Sequence, residues 1–370
     1  MKRFAAILCV IALSVSLASC RQQVSRQTTT AADTAAQQTT EQTTVPPQPE
    51  WQWQSSAPEE QGLNGDVLPD VHATYDSFPM LAAVIIKNGY IVDEYYKDGY
   101  DETSSFLLHS ASKSVTSAIV GIAIEQGYIE SIDTPLAQYF PELYNREDTR
   151  WQRITLRHLL THTSGIDCAD TEYETAWRDS DNWIQFVLDR PMAYEPGEVF
   201  AYSTANTHLL CAVVQQATGQ TLYEFGKENL FDPVGMESVT CDTDAQGISD
   251  GGNGIYMSIY DMARFGLLYL NGGEWQGEQI VPAEWVEQST TLQFERNSGS
   301  ADYGFQWWVR TFGDHDYPAY FAQGHAGQYI FVVPELELII AFTGNWLEGE
   351  RFRSSASESD VTDWVNELGL

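Results

Sequence analysis

The stretch LAAVIIKNGYIVDEYY, residues 81–96, decides how the chain is read. Two apolar, β-branched runs flank Asn88-Gly89, the dipeptide best suited to a two-residue hairpin turn, so the spacing predicts a pair of antiparallel strands. Immediately downstream the period changes. Val115, Ile119, Ile122 and Ala123 recur at helical spacing from Ser110 onward, and Gly127 follows as a stop.

From about 130 to 250 the pattern is mainly helical. Thr155 stands before LRHLLTH, Asn206 to Ala217 carries one apolar face ended by Gly219, and Thr221 with Glu224 forms a capping box. Ser258 and Asp261 repeat the device before MARFGLLYL. After Tyr303, the runs YGFQWWVR, QYIFVVP and ELELIIAFTG read as strands, and a last helix is expected around Val361 to Leu368. Strands from both ends of the chain, with helices between, predict an α+β fold. Its antiparallel sheet is built from both termini, flanked by helices, with a mainly helical lobe inserted at about 130–250. A site is expected in the cleft between sheet and lobe.

The first fifty residues stand apart from this domain. Lys2 and Arg3 precede an apolar run from Phe4 to Leu17, too short to span a bilayer, and Leu17-Ala18-Ser19-Cys20 closes it. This has the build of a secretory signal over 1–19, and its end resembles a bacterial lipobox, which implies cleavage before Cys20 and a lipid on its sulfur. Residues 20–50 are rich in Gln, Thr, Ala and Pro and predict a tether without a core. The expected product is an exported protein anchored to the cell membrane through Cys20, with one domain over 51–370.

The chain has 52 acidic and 19 basic residues. Only three acids (Asp33, Glu41, Glu50) and four bases (Lys2, Arg3, Arg21, Arg26) fall in the first fifty, so the negative charge belongs to the folded part. Such a surface repels nucleic acid and anionic lipid, leaving the lipid anchor as the expected membrane contact and a small molecule as the expected partner. Cys168, Cys211 and Cys241 allow at most one disulfide, and their spacing does not suit zinc.

Ser110-Ala111-Ser112-Lys113 places a hydroxyl and an amine three residues apart, on one face of a helix start. A serine becomes a nucleophile when a base takes its proton, and a lysine serves if its pKa is lowered. Further on, Pro196-Gly197-Glu198-Val199-Phe200-Ala201-Tyr202-Ser203 sets a tyrosine before a helix, and Gly324-His325-Ala326-Gly327-Gln328 precedes a strand. In these three ordered elements the chain resembles the serine β-lactamase-like hydrolases, among them class C β-lactamases, DD-peptidases, esterases and 6-aminohexanoate-dimer hydrolases. The phrases ITLRHLLTHTSGI, GGNGIYMSIYDMARFGLLYLNGG and VPELELIIAF extend the likeness over residues 55–350.

The resemblance implies a metal-free and cofactor-free serine hydrolase acting on an ester, amide or short peptide. In it Ser110 is acylated, Lys113 and Tyr202 form the proton-transfer pair, and the N–H groups of Ser110 and Gln328 form the oxyanion hole. It also implies substrate contacts from His325, Gly327 and either Thr204 or Asn206. Thr204 occupies the place where the related motif carries an asparagine, and His325 the place of a lysine. Both departures favour an esterase or amidase over a DD-peptidase or β-lactamase. A catalytically silent binding protein is the alternative of another class, but it would be free to lose Ser110, Lys113 or Tyr202. Of the competing constellations, His158 and His162 lack a third ligand and read as packing residues. Gly251-Gly252-Asn253-Gly254 lacks the lysine of a phosphate loop, and core packing accounts for most of Trp51, Trp53, Trp307, Trp308 and Trp346.

Overall fold

A computed structural model describes residues 51–169, 171–296, 301–345 and 358–370. The leader, Cys20, the tether and Trp346 lie outside the described residues. The hairpin forms as expected from β1 (Met80–Lys87) and β2 (Tyr90–Tyr96). Its turn residues Asn88 and Gly89 adopt φ of 53° and 81°, the left-handed pair that an Asn-Gly turn supplies. Five strands follow from the other end of the chain: β3 (Asp302–Tyr303), β4 (Trp308–Phe312), β5 (Tyr317–Gly324), β6 (Gln328–Val333) and β7 (Leu338–Gly344). They join the hairpin in one antiparallel sheet of order β2-β1-β7-β6-β5-β4-β3. Val84 pairs with Ala341, and Ala341 in turn with Ile330, which locks the two chain ends together.

Both faces of this sheet are covered, which is why β6 reads as a continuous apolar run without alternation. On one face Ala83, Ile85, Phe331, Ile340 and Phe342 pack against Tyr75 of α1 (Leu68–Ser77) and Trp364 of α7 (Glu358–Glu367). On the other, Val84, Ile330, Ile339 and Ala341 join the core of the helical lobe. Each Ile or Phe buried this way contributes about 1.5–3 kcal/mol.

The lobe is organised around α2 (Ser112–Glu125), which is buried on all sides from Ser112 to Ala123. Against it packs α5 (Thr204–Thr218), which also packs on α3 (Leu156–Leu160); α4 (Thr171–Arg178) lies in the same lobe, and α6 (Ile259–Leu270) lies on the sheet against β1, β6 and β7. The expected caps are in place. The Ser258 hydroxyl accepts from the Asp261 N–H at 3.1 Å, and Thr221 and Glu224 bond reciprocally. Gly219 ends α5 at φ 77°.

Two local expectations need correction. The helix after Thr155 stops at Leu160, because His162 turns into the left-handed region at φ 54° and the chain leaves the helix there. The run YGFQWWVR leaves the sheet after Tyr303 and rejoins it only at Trp308. Gln306 sits at φ 63°, almost fully buried, and donates its amide to the carbonyls of Leu159 (3.1 Å) and Leu160 (2.9 Å). Those buried carbonyls hold the segment out of the sheet against the strand preference of its aromatic residues. Trp307 is core, stacked on Phe265, and Trp51 packs on Trp53 and Trp275.

Candidate active site

Ser110 lies in a single 3-10 turn, His109–Ala111, that runs into α2. The turn is approached closely from the sheet. A Cβ at Gly324 would lie 2.1 Å from the Leu108 carbonyl oxygen, so only glycine lets the end of β5 come this near. The first turns of α2 are fastened to distant loops by side-chain hydroxyls. Ser114 donates to the Gln306 carbonyl at 2.7 Å, Thr116 to the Gly251 carbonyl at 2.7 Å, and Ser112 accepts from the Ile255 N–H at 3.2 Å.

Lys113 is the centre of the arrangement. Its side chain is 1% exposed, yet Nζ has three acceptors: Ser110 Oγ at 2.9 Å, Thr204 Oγ1 at 3.2 Å and the Gly252 carbonyl at 2.7 Å. Three acceptors match the three hydrogens of an ammonium. None of them is a carboxylate, so burial dominates and lowers the lysine pKa to about 7, partly opposed by the more distant Glu174 and Asp250. When the amine is neutral it has one lone pair, and the bond to Ser110 reverses so that the serine hydroxyl donates to Nζ.

Tyr202 closes the third side. Its phenol faces Ser110, and Lys113 Nζ lies 5.0 Å from its ring centroid. Burial pushes its phenol far up, although Ser110 nearby pulls the other way, so Tyr202 is protonated at neutral pH. Its ring is wedged between His162, centroids 4.4 Å apart, and Trp308, stacked at 5.8 Å. His162 is fully buried and kept neutral first by desolvation and then by Lys113. His158 instead caps α3, its Nδ1 accepting from the Thr155 N–H at 3.0 Å.

The remaining predicted residues fall into two groups. Thr204 is buried, and its hydroxyl serves Lys113. Asn206 does not open onto the cleft as expected. It is fully buried in the first turn of α5, where its Oδ1 accepts from Ser164 at 2.9 Å, so its contribution is to hold the segment after His162. His325 is exposed at the tip between β5 and β6, 5.5 Å from the ring of His109. Ala326 and Gly327 make the sharp turn there at φ 65° and 92°, and Gln328 opens β6, whose end packs against the Ser110 turn.

Sequence reasoning missed the residues that complete this site from afar. The Gly251-Gly252 loop carries the carbonyls for Thr116 and Lys113. A Cβ at Gly251 would meet Thr116 Oγ1 at 2.4 Å, and one at Gly252 would meet Thr204 Cγ2 at 2.7 Å, so the glycines are there for close approach and not for phosphate. Cys211, beside this loop, and Cys241 are free thiols with pKa values raised by burial.

A serine hydroxyl, a buried amine of lowered pKa and a protonated phenol meet at a helix tip beside an antiparallel sheet, an arrangement suited to a serine hydrolase of the α+β kind. The chain belongs to the beta-lactamase family, whose model matches residues 70–361. It is 24% identical to the 6-aminohexanoate-dimer hydrolase of Paenarthrobacter ureafaciens over 307 residues, 75% of this chain and 76% of that one. It is 29% identical to esterase EstB of Burkholderia gladioli over 150 residues, covering 36% of this chain and 38% of the esterase. Among solved structures, a penicillin binding protein from Bacillus halodurans superposes with a TM-score of 0.63 at 18% identity, over 80% of this chain and 99% of that one.

Proposed function

We propose that the protein is an extracytoplasmic esterase or amidase that forms an acyl-enzyme on Ser110. The observation that carries this reading is the 2.9 Å contact between Ser110 Oγ and the buried amine of Lys113, with the Tyr202 phenol beside the same serine. Neutral Lys113 takes the serine proton as Oγ attacks the substrate carbonyl, giving a tetrahedral oxyanion and a lysine ammonium. The N–H groups of Ser110 and Gln328 stabilise that oxyanion. Tyr202 then gives its proton to the departing nitrogen or oxygen as the C–N or C–O bond breaks, and Lys113 returns a proton to the phenolate. Water reverses the sequence: it attacks the ester, and the Ser110 oxygen leaves with a proton.

This scheme assigns the pair's roles by their protonation. A phenol held protonated is suited to donate, and an amine near neutrality is suited to accept. His325 supplies no permanent cation at the cleft, which favours esters and amides over a β-lactam carboxylate. Among the relatives, the 6-aminohexanoate-dimer hydrolase and the esterase fit this ranking. A lipid on Cys20 would hold the domain outside the cytoplasm.

A membrane-impermeant fluorophosphonate, applied to cells stripped of any outer membrane, tests nucleophile and location together. It is expected to label the wild-type protein and leave Ser110→Ala unlabelled. Label on the alanine variant would move the nucleophile, and label that requires lysis would move the enzyme inside.

A further inference from the structure

His162 reads from the sequence as a packing residue, but in the structure it makes three contacts with one short segment. Its carbonyl accepts from the Ala201 N–H at 2.8 Å, and its ring Nδ1 accepts from the Ser203 N–H at 3.4 Å. The residue between those two donors is Tyr202, whose ring packs on the imidazole with centroids 4.4 Å apart. One side chain and its own carbonyl thus grip the backbone on both sides of the phenol and the phenol's ring as well.

The far edge of the imidazole is held too. Nε2 lies 3.4 Å from Gln306 Nε2, whose amide donates to the Leu159 and Leu160 carbonyls and whose Oε1 accepts from Thr207 at 2.8 Å. Both ring nitrogens therefore meet nitrogens that carry hydrogens. A second proton on the imidazole would set N–H against N–H, so the ring stays neutral, as its full burial also requires. A neutral ring fixed at both edges brings no charge to the site. What it brings is position.

We infer that His162 is a positioning residue that holds Tyr202 where its proton can reach the departing atom. The inference rests on the proposed role of Tyr202 as proton donor. Such a donor acts only within hydrogen-bond reach of the atom it protonates, and a misplacement of about 1 Å can cost about a hundredfold in rate. The loss is felt in proportion to how much the leaving group needs the proton, whereas general damage to packing slows all substrates alike.

The test compares ethyl acetate with 4-nitrophenyl acetate, which share an acyl half. Ethoxide must be protonated as it leaves, and 4-nitrophenolate leaves unaided. The ratio of kcat/KM for the ethyl ester to that for the nitrophenyl ester is read on one preparation, so any unfolded fraction cancels. Tyr202→Phe is the reference and should lower this ratio about a hundredfold or more. His162→Gly accepts the left-handed backbone and keeps the carbonyl but removes the ring, and should lower the ratio about tenfold or more. His162→Asn also tolerates this φ and sets an acceptor oxygen where Nδ1 stood, so it should recover part of that loss. A wild-type ratio in His162→Gly beside a lowered one in Tyr202→Phe overturns the inference, as does a loss in His162→Asn equal to that in His162→Gly. If the glycine variant does not fold, the asparagine variant decides alone: a lowered ratio is expected and an unchanged one overturns the inference. Failure of the Tyr202 reading would show separately, as a ratio that Tyr202→Phe leaves at the wild-type value.

Discussion

Two buried ionisable groups, Lys113 against the start of α5 and His208 within it, have been treated in opposite ways. Lys113 is enclosed with hydroxyls and a carbonyl but no carboxylate. His208, also enclosed, lies 3.0 Å from the buried carboxylate of Asp244. Burial alone would push the Asp244 carboxyl up, but the bond from His208 and the N–H groups of Gln246 and Ile248, at 2.8 and 2.9 Å, outweigh it and hold it below the usual range. At the paired site Asp244 is held as a carboxylate and fastens the turn through Gln246 and Ile248. The unpaired one is left free to gain and lose a proton near pH 7. Withholding a counter-ion is what separates chemistry from scaffold here.

That contrast can be broken most directly at Lys113. Lys113→Met should lower kcat/KM by about 10²–10⁴-fold, the usual worth of a positioned proton acceptor. Its stability in denaturant should stay within about 1–2 kcal/mol of wild type, since relief of a buried charge offsets the lost hydrogen bonds. The difference should also depend on pH. Between about 7 and 10 the unfolded chain holds a proton on this lysine that the folded chain has given up. Wild-type stability therefore gains with rising pH in that window relative to the methionine variant. An equal difference at all pH values would mean the lysine is not depressed.

The scaffold side predicts the reverse pattern. His208→Ala leaves Asp244 buried without its side-chain partner and should cost about 2–4 kcal/mol. The enzyme that remains folded, counted by fluorophosphonate titration, should turn over at close to the wild-type rate. A His208 variant that is stable but inactive would place this pair in the chemistry and erase the distinction.

How much of this was legible in the chain depends on the range of the interaction. The hairpin turn, the caps at Ser258 and Thr221, and the Ser110-Lys113 spacing are encoded within four residues, and each could be read directly. The three-motif resemblance brought Tyr202 to them. The Gly252 carbonyl, 139 positions from Lys113, has no local signature, because any residue has a carbonyl and only folding aims it. Gln306 was hidden for another reason. Its neighbours Phe305, Trp307 and Trp308 favour a strand, and the buried carbonyls of Leu159 and Leu160 overrule them. Asn206 was the resemblance's alternative to Thr204, and its buried amide, bonded to Ser164 across 42 positions, has no local signature either.

The finest adjustment of the Lys113 site lies with Thr204. Its hydroxyl is one of three acceptors for the ammonium, and it can accept from the neutral amine too, so its net preference is for the charged form. Thr204→Val keeps the shape and removes the acceptor. The ammonium is then left with Ser110 and Gly252, and the lysine pKa must fall below its value of about 7. With the neutral amine as base, as in the scheme proposed above, the acid limb of kcat/KM should move to lower pH by roughly half a unit to one unit, the scale of one hydrogen bond to a charge. The plateau above the limb should drop only modestly, since a weaker base transfers the proton less favourably. A limb that moves to higher pH, or does not move, would show that another group sets it, and that the enclosure of Lys113 is not what tunes the reaction.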